Sequence, residues 1–299
     1  MTSTSSPTRF TVTGRDGTPV TAYRWDPMSP PRAVVQLTHG MGEHVLRYAP
    51  LAEALAAAGF VVQGQDHRGH GTTAASDDAL GQLGPAGWSG LVDDIDVLVE
   101  HAQDEHPDLP VVLFGHSMGS FAAQQYLLEH SDRIAGLALS GTAAIDLLEP
   151  ALDLDAPLDL TAFNAPFAPA RTDYDWLSRD EAEVDKYVAD PHCGFGVDVE
   201  AAKAMFAGAR PLADPTRLAA IRKDLPVYVT VGEHDPVGGQ LALVNALVER
   251  LRAAGLTDVT VKIWPGARHE VLNETNRDEV VGDLVTWLEA RLDEAPRPM

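Results

Sequence analysis

Val111-Val112-Leu113-Phe114-Gly115-His116-Ser117-Met118-Gly119 is the stretch whose reading decides the fold of this chain. Four apolar residues in a row suit a strand buried on both faces. The Gly-x-Ser-x-Gly that follows opens a helical segment running toward Leu128. A serine on a sharp strand-to-helix turn sits on strained backbone, and the helix must pack close to the strand it leaves. Gly115 and Gly119 supply the room this needs. The turn also aims the first N–H of the helix, that of Met118, at the point where negative charge develops on a substrate oxygen. The bare pattern recurs by chance in many proteins, and its place between strand and helix is what makes Ser117 a candidate nucleophile.

Outward from this stretch, short apolar runs alternate with segments of helical period. The runs are Ala33 to Leu37, Phe60 to Val62, Ile134 to Leu139, Val227 to Val231 and Val259 to Ile263. Trp88, Leu91, Val92, Ile95, Leu98 and Val99 form one helical stripe, with Asp93, Asp94, Asp96 and Glu100 expected outside it. Leu241, Val244, Leu247, Val248 and Leu251 form a second stripe, stopped by Gly255. Val281, Leu284, Val285, Leu288 and Leu292 form a third. This order predicts an α/β fold, a doubly wound, mostly parallel sheet with helices on both faces. Residues 9 to 25 read as two strands joined at Asp16-Gly17, an antiparallel hairpin that opens the sheet.

A serine needs a base within hydrogen-bond reach and a third group to orient that base. On a sheet of this kind the acid follows a late strand and the histidine a later one. Gly232-Glu233-His234-Asp235-Pro236 follows one such strand and Gly266-Ala267-Arg268-His269-Glu270 the next, so Asp235 and His269 are the expected partners of Ser117. Thr38-His39-Gly40-Met41-Gly42-Glu43-His44 follows the first parallel strand, where the second oxyanion donor belongs, and Met41 N–H is the candidate. His39 and Gly40 shape that loop, and His116 packs under the elbow. His234 is read as shaping the loop beside Asp235. His39 and His44 lack partners at metal-ligand spacing and read as loop organisers, so no metal and no cofactor are expected. Asp66-His67-Arg68-Gly69-His70-Gly71 lacks the lysine of a phosphate loop and reads as a turn held by a buried Asp–Arg contact. Cys193 reads as a buried structural cysteine.

Composition narrows the function classes. A formal net charge of −22 argues against nucleic acid or anionic lipid as an electrostatic partner. One cysteine permits neither an internal disulfide nor a thiolate-built zinc cluster. The opening residues lack the basic start and apolar run of a secretory signal, and the longest uncharged apolar stretch, Ile134 to Ile145, is short of the roughly 20 residues that span a bilayer. The expected location is cytoplasmic.

Between Gly141 and Leu225 the alternation lapses into a segment rich in Pro, Asp and Leu. Structureless loops of that length are rare in compact domains unless functional, so it reads as an inserted cap; the alternative is an irregular loop with two core helices. The expected organisation is a core at 9–141 and 226–292, a cap at 142–225, and flexible tails at 1–8 and 293–299. Leu147, Leu148, Leu152, Phe163 and Phe167 offer apolar area there for a substrate.

In His39 to His44, Asp66 to Gly71, Gly115 to Gly119, Gly232 to Asp235 and Arg268 to Glu270 the chain resembles the monoacylglycerol lipase and lysophospholipase branch of the α/β-hydrolases. Asp175 to Asp180 and Asp190 to Phe195 look like bacterial members of it. The resemblance implies the eight-stranded α/β-hydrolase sheet with an inserted cap. It also implies hydrolysis of a glycerol ester bearing one acyl chain, with Ser117 as nucleophile, His269 as base then acid, Asp235 as orienter, and Met41 and Met118 N–H as oxyanion donors. Ser120 departs from a glycine common in the branch, and Met41 is larger than the residue some members carry there, narrowing the expected acyl tunnel. The expected partner is a small ester or lipid, with transient contact between the cap and a lipid surface. Other readings stay open: a general carboxylesterase, a lysophospholipase, a proline iminopeptidase-like peptidase needing an acidic anchor for the substrate amine, or a non-catalytic relative that binds ligand. A dehalogenase would need a carboxylate in place of Ser117.

Overall fold

The computed structural model describes residues 6–293. Eight strands form one sheet: β1 (Thr8–Thr13), β2 (Pro19–Trp25), β3 (Ala33–Thr38), β4 (Phe60–Gln65), β5 (Val111–His116), β6 (Gly136–Ser140), β7 (Val227–Gly232) and β8 (Val259–Trp264). Their order is β1-β2-β4-β3-β5-β6-β7-β8. The first two strands pair antiparallel and β2 is antiparallel to β4, while every later pair is parallel. This is the expected mostly parallel sheet opened by a hairpin.

Among the described residues, eight α-helices accompany it: α1 (Ala49–Ala57), α2 (Gly87–Glu105), α3 (Met118–His130), α4 (Glu181–Ala189), α5 (Val199–Ala209), α6 (Pro215–Leu218), α7 (Ala242–Ala253) and α8 (Arg277–Asp293). Side chains of the central strands alternate between two cores, as a period of two requires. Val111 and Leu113 join α2, α3 and α7 in one, whereas Val112 and Phe114 join α1 and α8 in the other. The third stripe is shifted from its reading: α8 buries Val280, Leu284, Trp287 and Leu288, leaving Val281, Val285 and Leu292 only partly buried.

Two further readings need correction. Asp94 and Asp96 do not face water but are buried in α2. Asp94 receives Arg68, and Asp96 receives Arg15, Arg133 and the Tyr126 hydroxyl. A burial that costs several kcal/mol for a lone charge is tolerated because each carboxylate meets a guanidinium. Correspondingly, Arg68 pairs with Asp94 and Asp16, while Asp66 turns away and accepts from Val45 N–H, Thr72 N–H and the Thr72 hydroxyl. The Asp66–Arg68 contact expected from adjacency is absent.

Register places the site. Thr38 lies beside Gly115, His116 beside Ser140, and Gly232 beside Trp264, so the carboxyl ends of β3, β5, β6, β7 and β8 line one edge of the sheet. Loops leaving that edge converge on a common crevice, the usual ligand position in open α/β sheets. The insertion between β6 and β7 lies over it, carrying α4, α5, α6 and several short 3-10 turns, and α5 also packs on α2 and α3. The expected N-terminal tail lies outside the described residues except for its last positions, and Thr8 already belongs to β1. Most of the expected C-terminal tail is likewise outside them, with Asp293 closing α8. No helix among the described residues is long and apolar enough to cross a membrane.

Candidate active site

Ser117 occupies the turn between β5 and α3 with φ 50° and ψ −121°, a left-handed conformation that costs a non-glycine residue about 1–3 kcal/mol. The surroundings hold it there. Its N–H donates to Ser140 C=O, and its own C=O accepts from Ser120 N–H, the Ser120 hydroxyl and Phe121 N–H. Ser120 Oγ, its one proton given to Ser117 C=O, also meets the Thr142 hydroxyl at 2.9 Å, so the residue that departs from the family pattern braces the elbow. The flanking glycines are demanded by space: a Cβ on Gly115 would stand 2.7 Å from Gly119 C=O, and one on Gly119 would stand 2.3 Å from Thr38 C=O.

The loop after β7 presents Asp235, and the loop after β8 presents His269. His269 Nδ1 donates to the carboxylate, 2.9 Å from each oxygen, and both side chains are buried. Val237 N–H donates to the same carboxylate at 2.9 Å. Burial alone would lower the His269 pKa, yet the Asp235 charge and hydrogen bond outweigh it and raise the pKa above the ordinary 6.5. Trp176 of the insertion lies against the imidazole with ring centroids 4.9 Å apart. Gly141 completes the seat, since a Cβ there would stand 2.8 Å from both His116 and His269. Ser117 and His269 line the same cavity, and no hydrogen bond joins them among the described residues.

Gly40 brings the loop after β3 against the elbow; a Cβ on it would stand 3.2 Å from Ser117 Cβ. The N–H groups of Met41 and Met118 have no hydrogen-bond partner among the described residues and are available to a ligand. Beneath the loop, three buried histidines interlock. His39 Nδ1 donates to Gly40 C=O and its Nε2 accepts from His67 N–H, while His67 Nε2 donates to His39 C=O and His70 Nε2 accepts from Gly42 N–H. Burial lowers the pKa of each, keeping them neutral donors and acceptors. His116 Nδ1 meets the Ser140 hydroxyl at 3.1 Å under the elbow. His234 exposes its side chain, and its N–H holds the loop by donating to Ala267 C=O.

Sequence reasoning missed the charged cluster beside this site. Arg47 donates to Glu43 at 2.5 Å and grips Glu270 with two bonds at 2.6 and 2.8 Å, and all three side chains are nearly inaccessible. Glu43 also accepts from Gly40 N–H and the Tyr48 hydroxyl, tying the Met41 loop to the residue after His269. Against the cost of burial, the Arg47 grip holds Glu270 well below the usual carboxylate range. Burial pushes Glu43 the other way, with Arg47 opposing. The spacing of Glu43 and Arg47 as i and i+4 was the available signal, but nothing in the sequence marked Glu270 as their partner. Arg47→Met leaves two buried carboxylates without a cation and is expected to cost about 3–5 kcal/mol, read as a lowered denaturant midpoint at unchanged m-value.

The cavity holds about 370 Å³ and its lining is mostly apolar, including Met41, Phe121, Leu148, Leu158, Phe163 and Phe206. Leu152 also lines it, whereas Leu147 is exposed and Phe167 instead packs under the Arg268 guanidinium, 4.4 Å from its carbon. Cys193 is half-buried and lies outside the cavity lining.

The profile of the family described as serine aminopeptidase, S33, matches residues 29–276. The chain is 34% identical over 275 residues to the monoacylglycerol lipase of Mycolicibacterium smegmatis, covering 90% of this chain and 92% of that one. It is 28% identical to human monoglyceride lipase, covering 92% and 88%. A solved carboxyl esterase from Bacillus coagulans, in complex with glycerol, superposes with a TM-score of 0.85 at 28% identity, covering 97% of this chain and all of that one.

Proposed function

Because this chain belongs to the serine aminopeptidase S33 family of α/β-hydrolases, in the branch that resembles the monoacylglycerol lipases, and is an ester hydrolase, we propose that it cleaves monoacylglycerols to fatty acid and glycerol through an acyl-enzyme on Ser117. The observation that carries the substrate class is the apolar cavity opening directly beside Ser117 and His269. It suits an acyl chain, and the 142–225 insertion that supplies most of its wall acts as the cap.

In this mechanism His269 Nε2 takes the Ser117 hydroxyl proton as Oγ attacks the ester carbonyl, and Asp235 holds the ring so that Nε2 faces the serine. The N–H groups of Met41 and Met118 receive the oxyanion. His269 then returns the proton to the departing glycerol oxygen, and a water activated by the same nitrogen releases the fatty acid. Each step needs only groups described above.

An aminopeptidase would require a free carboxylate to hold the substrate ammonium. Glu43 and Glu270 in the cavity wall are both engaged by Arg47. Asp153 and Asp159, on exposed turns of the same segment, each accept a local backbone N–H. The mostly apolar remainder of the lining favours an acyl chain over an amine.

The test is hydrolysis of glycerol monoesters and p-nitrophenyl esters of rising acyl length. The reading predicts higher kcat/KM for the glycerol monoesters, increasing with chain length until the cavity is filled. Activity confined to short simple esters would make the protein a general carboxylesterase, and preference for lysophospholipids would replace the head group assigned here.

A further inference from the structure

We propose that His44, Asp190 and Cys193 form a binding site for a zinc-like divalent ion, which clasps the insertion to the loop after β3. One donor atom from each of the three residues lies within 4.8 Å of the other two. His44 Nε2 and an Asp190 oxygen are already 3.0 Å apart. No spacing in the sequence announces this set, because the fold brings together residues 146 positions apart.

The supporting turn is held by hydrogen bonds. Cys193 N–H donates to Asp190 C=O, and His192 N–H donates to the second Asp190 oxygen, leaving the first one facing His44. Gly194 N–H donates to Gly42 C=O at 3.0 Å, so the turn is already docked on the loop that carries His44. Donors on one tetrahedral zinc ion at about 2.0–2.3 Å stand about 3.3–3.7 Å apart, so binding draws Cys193 inward by about 1 Å at most while the His44–Asp190 pair opens slightly.

The donor chemistry selects the ion. An imidazole, a carboxylate and a thiolate suit zinc or cobalt(II), whereas magnesium and calcium take oxygen ligands. Three protein ligands leave a fourth position for water or for His192, whose ring centroid lies 6.3 Å from that of His44. The carboxylate and thiolate together neutralise the doubly charged ion. Cys193 enters as the thiol, and binding releases its proton to solvent.

Cys193 is the only cysteine in the chain, and that makes the test specific. The full-length protein, stripped with chelator, is titrated with cobalt(II) and followed by absorption. The expected result is a thiolate-to-cobalt charge-transfer band together with intense tetrahedral visible bands, displaced by zinc. Cys193→Ser should abolish the charge-transfer band and weaken cobalt binding by at least about tenfold, and His44→Ala should weaken it similarly. Unchanged basal ester hydrolysis in both variants shows that they are folded. Absence of the charge-transfer band at saturating cobalt overturns the proposal. So does cobalt affinity that is unaltered in either folded variant.

Discussion

Replacing Ser117 with alanine is expected to lower kcat about 10⁶-fold, a loss of roughly 8 kcal/mol of transition-state stabilisation. The magnitude follows from the role proposed for Oγ: without it no acyl-enzyme forms, and the oxyanion donors and binding cavity are left to act on water alone. Folding should be spared, since Ser117 Oγ makes no hydrogen bond among the described residues and the strained backbone is held by Ser140, Ser120 and Phe121 through main-chain atoms and the Ser120 hydroxyl. Thermal and denaturant midpoints are therefore expected within about 0.5 kcal/mol of the parent. Steady-state hydrolysis and a melt on the same preparation check both halves.

Asp235→Asn should cost about 10⁴-fold in kcat with the fold intact. The amide can donate to His269 Nδ1 where the carboxylate accepts, which favours the tautomer carrying its proton on Nε2, and that nitrogen then cannot accept from Ser117. The same substitution should alter the pH profile. His269 acts as a base only when neutral, so kcat/KM of the parent falls as pH drops through a pKa above 6.5, raised by Asp235. With the carboxylate gone, burial is the main remaining influence and moves that acid limb downward. A profile whose acid limb stays in place in Asp235→Asn would assign it to another group.

The succession of strands along the chain, and the positions of Ser117, Asp235 and His269 just beyond strand ends, were legible because each rests on a local signal. Val111 to Phe114 marks a buried strand, Gly115 and Gly119 mark the tight turn, and Asp235 and His269 each stand just beyond a strand end. What was not legible depended on long-range partners. Asp94 and Asp96 read as solvent-facing because their guanidinium partners, Arg68, Arg15 and Arg133, lie far away in the chain. Glu270 carries no local sign of its role, which appears only when the fold brings Arg47 to it across 223 positions. The segment between β6 and β7 stood out in the sequence only as a lapse in periodicity. Its short 3-10 turns have no period to detect, and which of its leucines reach the cavity depends on packing: Leu148 and Leu152 do, while Leu147 faces water.

Ser120 shows the same limit at closer range. Read as a substitution just past the elbow, it carries little weight in the sequence. In three dimensions its hydroxyl links Ser117 C=O to the Thr142 side chain, and Gln124 donates to the same threonine. The elbow is thereby fastened to the first residues of the insertion, so a change in the insertion can reach the serine through two hydrogen bonds.

The central claim is that the acyl group passes through Ser117, and the most direct measurement is mass analysis of the enzyme quenched in acid during turnover of a slowly hydrolysed ester. The account predicts an adduct of one acyl group, mapped to the peptide containing Gly115 to Gly119 and absent from Ser117→Ala. Turnover with no adduct on that peptide, together with substantial activity in Ser117→Ala, would contradict it.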